Sequence, residues 1–122
     1  MSYRHIKFPE TGQKLSIVDN RLVVPDNPIL GFIEGDGIGP DITAAAMRVW
    51  DAAVEKAYGG KRKVHWAELF LGEKAAGIYD GDYFPAETLV VAKKQIVGIK
   101  GPQAPAAGVG VSSLNVSVRK AD

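Results

Sequence analysis

Pro28-Ile-Leu-Gly-Phe-Ile-Glu-Gly-Asp-Gly-Ile-Gly-Pro40 is the stretch whose reading decides how this chain folds. Ile29 to Ile33 is a continuous apolar run, which reads as a strand buried on both faces rather than one alternating between core and water. Gly35, Gly37 and Gly39 follow, and Pro40 then suits a first helical position, where a missing N–H costs nothing. From there Ile42, Ala45, Ala46, Val49, Ala53, Val54 and Ala57 recur at helical spacing, with Asp41, Arg48, Asp51, Glu55 and Lys56 elsewhere on the wheel. Gly59-Gly60 supplies the stop. A strand, a tight glycine turn and a helix N-terminus are the parts with which α/β proteins bring backbone close to a ligand.

Working outward, Lys14-Leu-Ser-Ile-Val18 and Arg21-Leu-Val-Val-Pro25 flank Asp19-Asn20, a pair that tolerates the positive φ of a two-residue turn, so a hairpin is expected. Val64 to Phe70 is strand-like, with Trp66 and Phe70 on one face and His65 and Leu69 on the other. Gly72, Gly77 and Gly81 mark a loop, Pro85 to Lys94 a short helix, and Gln95 to Ile99 a further apolar strand. Residues 101–112, rich in Gly, Pro and Ala, read as a loop, and Leu114 to Arg119 as the start of another element. The order hairpin, β, α, β, α, β predicts an α/β fold with a mostly parallel sheet flanked by helices and an N-terminal β-hairpin. We divide it into a hairpin arm over 1–27, a βαβαβ core over 28–100, and a loop with the start of the next element over 101–122.

The 122 residues, 46% hydrophobic and 24% charged, suffice for one domain with its own core. Fifteen basic against fourteen acidic side chains give a net charge of +1, so no strong field favours nucleic acid or an anionic membrane. Lys61-Arg-Lys63 reads as a solvated turn. The absence of cysteine removes disulfides and thiolate chemistry and suits a reducing compartment. The N-terminus has no apolar stretch of signal-peptide length and no window approaches a membrane span, so a soluble cytoplasmic protein is expected. His5 and His65 do not read as a metal pair, and Asp80 and Asp82 around Gly81 fall short of a calcium loop. Tyr79, Tyr83 and Phe84 read as packing.

Three segments are suited to chemistry. The glycine turn fails the dinucleotide-binding fingerprint, because the third glycine position after Gly35 and Gly37 is Pro40, and no Gly-Lys-Ser/Thr closes a P-loop. Taken alone it is either a structural connection or a ligand-facing loop. Lys100-Gly101-Pro102 closes a strand, where open α/β sheets present their binding loops, unless Lys100 merely carries its charge to solvent. Ser113, Asn115 and Arg119 offer a hydroxyl, an amide and a planar guanidinium fork, a set able to converge on a carboxylated ligand. The plainer alternative is a capped turn and a surface arginine.

Ile33-Glu-Gly-Asp-Gly-Ile-Gly-Pro40, Ile99-Lys-Gly-Pro102 and Ser113-Leu-Asn-Val-Ser-Val-Arg119 stand in the order found in decarboxylating dehydrogenases. From about Tyr3 to Arg119 the chain resembles the N-terminal part of the bacterial NADP-dependent isocitrate dehydrogenases. The resemblance implies an isocitrate/isopropylmalate dehydrogenase-like fold and oxidative decarboxylation of isocitrate to 2-oxoglutarate with reduction of NADP, in tricarboxylic acid cycle and glyoxylate-bypass metabolism. It assigns Ser113, Asn115 and Arg119 to substrate contacts. Ser113 also matches a regulatory phosphorylation site, which implies a kinase and phosphatase; a phosphate of roughly −1.5 to −2 charges there would repel a tricarboxylate. Family members are longer and homodimeric, and their metal-ligating aspartates, which bind Mg²⁺ or Mn²⁺, and their catalytic lysine and tyrosine correspond to positions after Asp122. No catalytic or metal-binding residue is therefore expected among these 122, and the chain alone is expected to be inactive.

The chain departs from the family at one corner. Relatives read Lys-Gly-Pro-Leu-Thr-Thr-Pro-Val-Gly-Gly-Gly where this chain reads Lys100-Gly-Pro-Gln-Ala-Pro-Ala-Ala-Gly-Val-Gly110. Ala104 thus stands at the family's cofactor-side threonine, Ser112 at an arginine, and Gly31 at a proline, and weaker binding is expected there. The alternatives are a truncated non-catalytic protein or docking partner of full-length subunits, and a sibling such as isopropylmalate dehydrogenase, against which the Ser-Leu-Asn…Arg set counts.

Overall fold

The computed structural model describes residues 3–103. Strand β1 (Gln13–Lys14) precedes an antiparallel pair, β2 (Ser16–Val18) and β3 (Arg21–Val23), whose turn holds Asp19 at φ 51° and Asn20 at φ 61°. These are the two positive values a two-residue hairpin turn requires. Strand β4 (Pro28–Ile33), helix α1 (Gly39–Tyr58), strand β5 (His65–Leu69), helices α2 (Glu73–Ile78) and α3 (Ala86–Gln95), and strand β6 (Gly98–Lys100) follow. β1, β5 and β6 all pair with β4 in parallel. β5 lies along β4 from Ile29 to Ile33, so the two short strands share the opposite edge, β1 at Pro28 and Ile29 and β6 at Gly31 to Ile33. The result is the mostly parallel α/β architecture with an N-terminal hairpin that the element order implies.

Pleating sends alternate residues of β4 and β5 to opposite faces. On one face Ile33 and Leu69 join Ile6, Leu71 and Val91 of α3 in the buried core, with Tyr3, Phe8, Phe70 and Phe84 packed against it. On the other, Phe32 and Trp66 meet edge to face at 6.2 Å, and Trp66 lies 5.9 Å from Trp50 of α1. The Trp66 Nε1–H also donates to Asp51 of α1 at 2.9 Å. Helices α1 and α3 therefore cover opposite faces, as right-handed crossovers require when β4 leads to β5 on one side and β5 returns past β4 to β6 on the other.

The N-terminal segment is pinned to the α3 face by Glu87, whose carboxylate accepts from the Arg4 and His5 backbone N–H groups and from the Tyr79 hydroxyl. Burial works to raise the Glu87 pKa, but the Tyr79 hydrogen bond and then the Arg4 and His5 amides outweigh it and hold the carboxyl below its ordinary value. Burial and the same carboxylate push the Tyr79 phenol up.

Several elements differ from the sequence reading: the strand expected over Lys14 to Val18 is split between β1 in the parallel sheet and β2 in the hairpin, and Phe70, just past β5, packs on the core face and not beside Trp66. Helix α2 occupies part of the expected glycine loop, because Glu73-Lys-Ala-Ala76 favours helix and Gly77 falls near its end, where its cost is small. The expected strand from Gln95 to Ile99 is instead β6 at Gly98–Lys100, with Gln95 ending α3. Between them Ile96 sits at φ 69°, ψ −52°, and the Val97 N–H returns to the Gln95 carbonyl at 2.7 Å. This is a three-residue γ-turn of the rare positive-φ kind, concealed in the sequence by its apolar residues. Helix α1 starts at Gly39, one residue before Pro40, and of its 20 residues Gly39 and Thr43 are the buried ones. No helix among the described residues is long and apolar enough to cross a membrane.

Candidate functional site

Beyond the carboxyl ends of β4 and β5 the chain leaves toward opposite faces of the sheet, and in open α/β sheets that divergence opens the crevice where ligands bind. Three loops meet at this edge: 34–38 after β4, 70–72 after β5, and 101–103 after β6. The register that sets Ile33 beside both Leu69 and Lys100 brings them to one level.

The first and third loops cross in direct contact. The Asp36 N–H donates to the Pro102 carbonyl at 2.8 Å, and the Gly101 N–H to the Ile33 carbonyl at 2.8 Å. Gly35, at φ 91°, and Gly101 make the crossing possible: a Cβ on the first would strike the Pro102 carbonyl and one on the second the Glu34 carbonyl, each at well under 3 Å. The Thr43 hydroxyl donates to the Glu34 carbonyl at 2.8 Å and ties α1 to the same turn. The inner residues of the turn are structural, whereas Ile38 at its tip is 69% exposed and the space beside Gly37 is open.

The second loop joins through Asp36, which is buried and accepts from the Glu73 N–H at 3.2 Å and 3.3 Å on its two oxygens. Next to it, Lys74 spans the rim, its Nζ 2.5 Å from Glu68 and 3.3 Å from Glu34. Partial burial works to lower the Lys74 pKa, but the hydrogen bonds and charges of Glu68 and then Glu34 outweigh it and hold the ammonium above its ordinary value. The Gly39 N–H at the start of α1 donates to the Asp36 backbone carbonyl at 2.8 Å, and the first turn of the helix carries Asp41.

The Lys100 Nζ donates to the Gly101 carbonyl at 2.8 Å. Ala104, Ser113, Asn115 and Arg119 lie outside the described residues. Gln103, buried at this corner, immediately precedes them in the chain. Among the described residues no group of three or more His, Cys, Asp or Glu side chains is placed to hold a metal ion, so no chemistry of a metal is assigned to them. His5 packs edge-on against Tyr79 at 4.7 Å, and His65 Nδ1 lies 3.2 Å from the Thr11 hydroxyl. Sequence reasoning missed Asp36, Gln103 and Lys74. Asp36 was in view inside the glycine turn and Gln103 as a departure from the family's leucine, while nothing local marked Lys74. On the α3 face a groove of about 750 Å³ runs between the hairpin, the end of α3 and β6 and reaches the strand ends, lined by Ile17, Ile33, Leu69, Ala92, Ile96 and Lys100 among others.

The family model for isocitrate/isopropylmalate dehydrogenase matches residues 29–121. The NADP isocitrate dehydrogenase of Pseudomonas aeruginosa is 50% identical over 122 residues, covering 98% of this chain and 29% of that protein. The counterpart from Coxiella burnetii is 50% identical over 121 residues, with 98% and 28% covered. That of Archaeoglobus fulgidus is 45% identical over 120 residues, again with 98% and 28%. The chain thus spans under a third of the length of these relatives.

Proposed function

The chain belongs to the isocitrate/isopropylmalate dehydrogenase family, and from that premise we propose that it works as part of a longer NADP-dependent isocitrate dehydrogenase. The reaction would remove hydride from the hydroxyl-bearing carbon of isocitrate to NADP and then release carbon dioxide, leaving 2-oxoglutarate. The observation that carries this reading is the 45–50% identity along nearly the whole chain to proteins of that name, together with the Ser113, Asn115 and Arg119 set.

In this reading Arg119 grips a substrate carboxylate through its planar fork, while Ser113 and Asn115 add neutral hydrogen bonds. The loop after β6, which leads in the chain toward that segment, is bonded to the glycine turn through the Asp36 N–H and the Pro102 carbonyl. By the resemblance Ala104 stands at the family's cofactor-side threonine, so this chain would offer no hydroxyl there to a bound NADP. A Mg²⁺ or Mn²⁺ ion, held elsewhere in the longer enzyme, supplies Lewis-acid polarisation of the substrate oxygen. Phosphorylation of Ser113 by a kinase, reversed by a phosphatase, sets a dianion against the tricarboxylate and blocks its entry. A homodimer in the cytoplasm completes the proposal.

The test is a chimera in which residues 1–122 replace the matching segment of the Pseudomonas aeruginosa enzyme. We expect isocitrate-dependent NADPH formation, reduced at least about a hundredfold in kcat/KM by Arg119→Ala, as loss of a charged, bidentate contact predicts. Ser113→Asp should weaken isocitrate binding by a similar factor. A folded chimera that turns over isopropylmalate but not isocitrate, or neither, would overturn the reading.

A further inference from the structure

Gln103 presents a problem that the fold must solve. It is 9% exposed, and neither oxygen nor nitrogen of its amide has a hydrogen-bond partner. A buried polar group left unsatisfied is costly, so a native position of this kind calls for a partner. Gly72 shows where that partner is. A Cβ on Gly72 would meet both the Asp36 Oδ2 and the Gln103 Oε1 at under 2.5 Å, so the carboxylate and the amide converge on the one point that the missing side chain leaves open. Two acceptor oxygens do not face each other in a buried site without a donor between them. The amide group is nearly symmetric in shape, and turning it by half a revolution places the NH₂ where the oxygen stands.

We propose that Gln103 is a positioning residue, its amide nitrogen donating to the Asp36 carboxylate across Gly72 and clasping the three loops at the carboxyl end of the sheet. Asp36 already accepts from the Glu73 N–H of α2, directly after the second loop, and its own N–H is bound to the Pro102 carbonyl of the third. The Gln103 bond closes that circuit. Because residue 104 follows directly, the clasp fixes the point from which the chain sets out toward Ser113, Asn115 and Arg119. The link to substrate rests on the isocitrate dehydrogenase reading; the clasp itself does not.

Hydrogen exchange of the Asp36 and Glu73 backbone amides in the 122-residue chain tests the clasp. Gln103→Met keeps the shape and removes the donor, and should speed exchange at both amides by about tenfold. Gln103→Glu sets two carboxylates against each other and should speed it further. Adding Asp36→Asn to Gln103→Glu restores one donor and one acceptor with their roles exchanged, and protection should return to within about threefold of the parent. Methionine behaving as glutamine does, or the double variant exchanging as fast as Gln103→Glu alone, would overturn the proposal. In the chimera, Gln103→Met should raise the KM for isocitrate several-fold with kcat held within about twofold. An inactive parental chimera with the exchange pattern intact would count against the assigned reaction and leave the clasp standing. An active chimera in which methionine changes neither KM nor exchange would remove the clasp and keep the reaction.

Discussion

Ile96 occupies a backbone conformation that its branched side chain opposes. Of the four non-glycine residues with positive φ among the described residues it alone is branched at Cβ, and an L-residue held there costs of order 1–3 kcal/mol. The turn persists because Gln95 is buried on one side and β6 is locked to β4 on the other. Replacing Ile96 by glycine should therefore raise stability by about 1 kcal/mol, measured by chemical denaturation; an equal loss would mean that the side chain's packing outweighs the strain. Glu87 carries a different load. Its folded pKa lies below the ordinary 4.5, so its contribution is fully present above that value and is lost as pH falls through the depressed one. Glu87→Gln should cost about 1–2 kcal/mol near neutrality, and the variant's stability should fall less steeply than the parent's below about pH 4.5.

At the scale of elements, the crossing of the glycine turn with the loop after β6 is what makes the carboxyl edge a site. Gly35→Ala should push the Pro102 carbonyl away, break the Asp36 N–H bond and cost about 3 kcal/mol or more, whereas Gly37→Ala, facing open space at φ 59°, should cost about 1 kcal/mol. Comparable losses in urea denaturation would show that backbone strain, not the crossing, dominates. Strand β4, the glycine turn and helix α1 were legible because the apolar period changes sharply at Gly35, and the hairpin because Asp19-Asn20 admits one turn type. Helix α2 was hidden by its brevity and by Gly77, and the γ-turn by the uninterrupted apolar run at Ile96-Val97. Of the site, the sequence showed two pieces, Glu34 to Gly39 and Lys100 to Pro102. That they touch depends on the register of β6 on β4, which no local pattern encodes, and the Asp36, Gly72 and Gln103 cluster needs all three loops in place.

At the scale of the molecule, several faces of the described residues carry exposed apolar side chains. Ile17, Val18 and Leu22 of the hairpin, Ile42 and Val49 of α1, and Ile96 and Val97 beside the groove are all exposed. We expect the 122-residue chain to self-associate at micromolar concentration, and Leu22→Lys with Val49→Lys to suppress this without loss of helix content; light scattering and circular dichroism would decide. A monomeric parent would show these faces to be benign. A pair of indoles between α1 and the sheet also makes such work practical. The chain has two tryptophans, and Trp50 and Trp66 lie 5.9 Å apart at a tilt of 34°, one on α1 and one on the sheet. Two indoles so close couple their electronic transitions, so the near-ultraviolet emission and an exciton band in circular dichroism form a built-in optical gauge of whether α1 is seated. No dye or tag is required to read it.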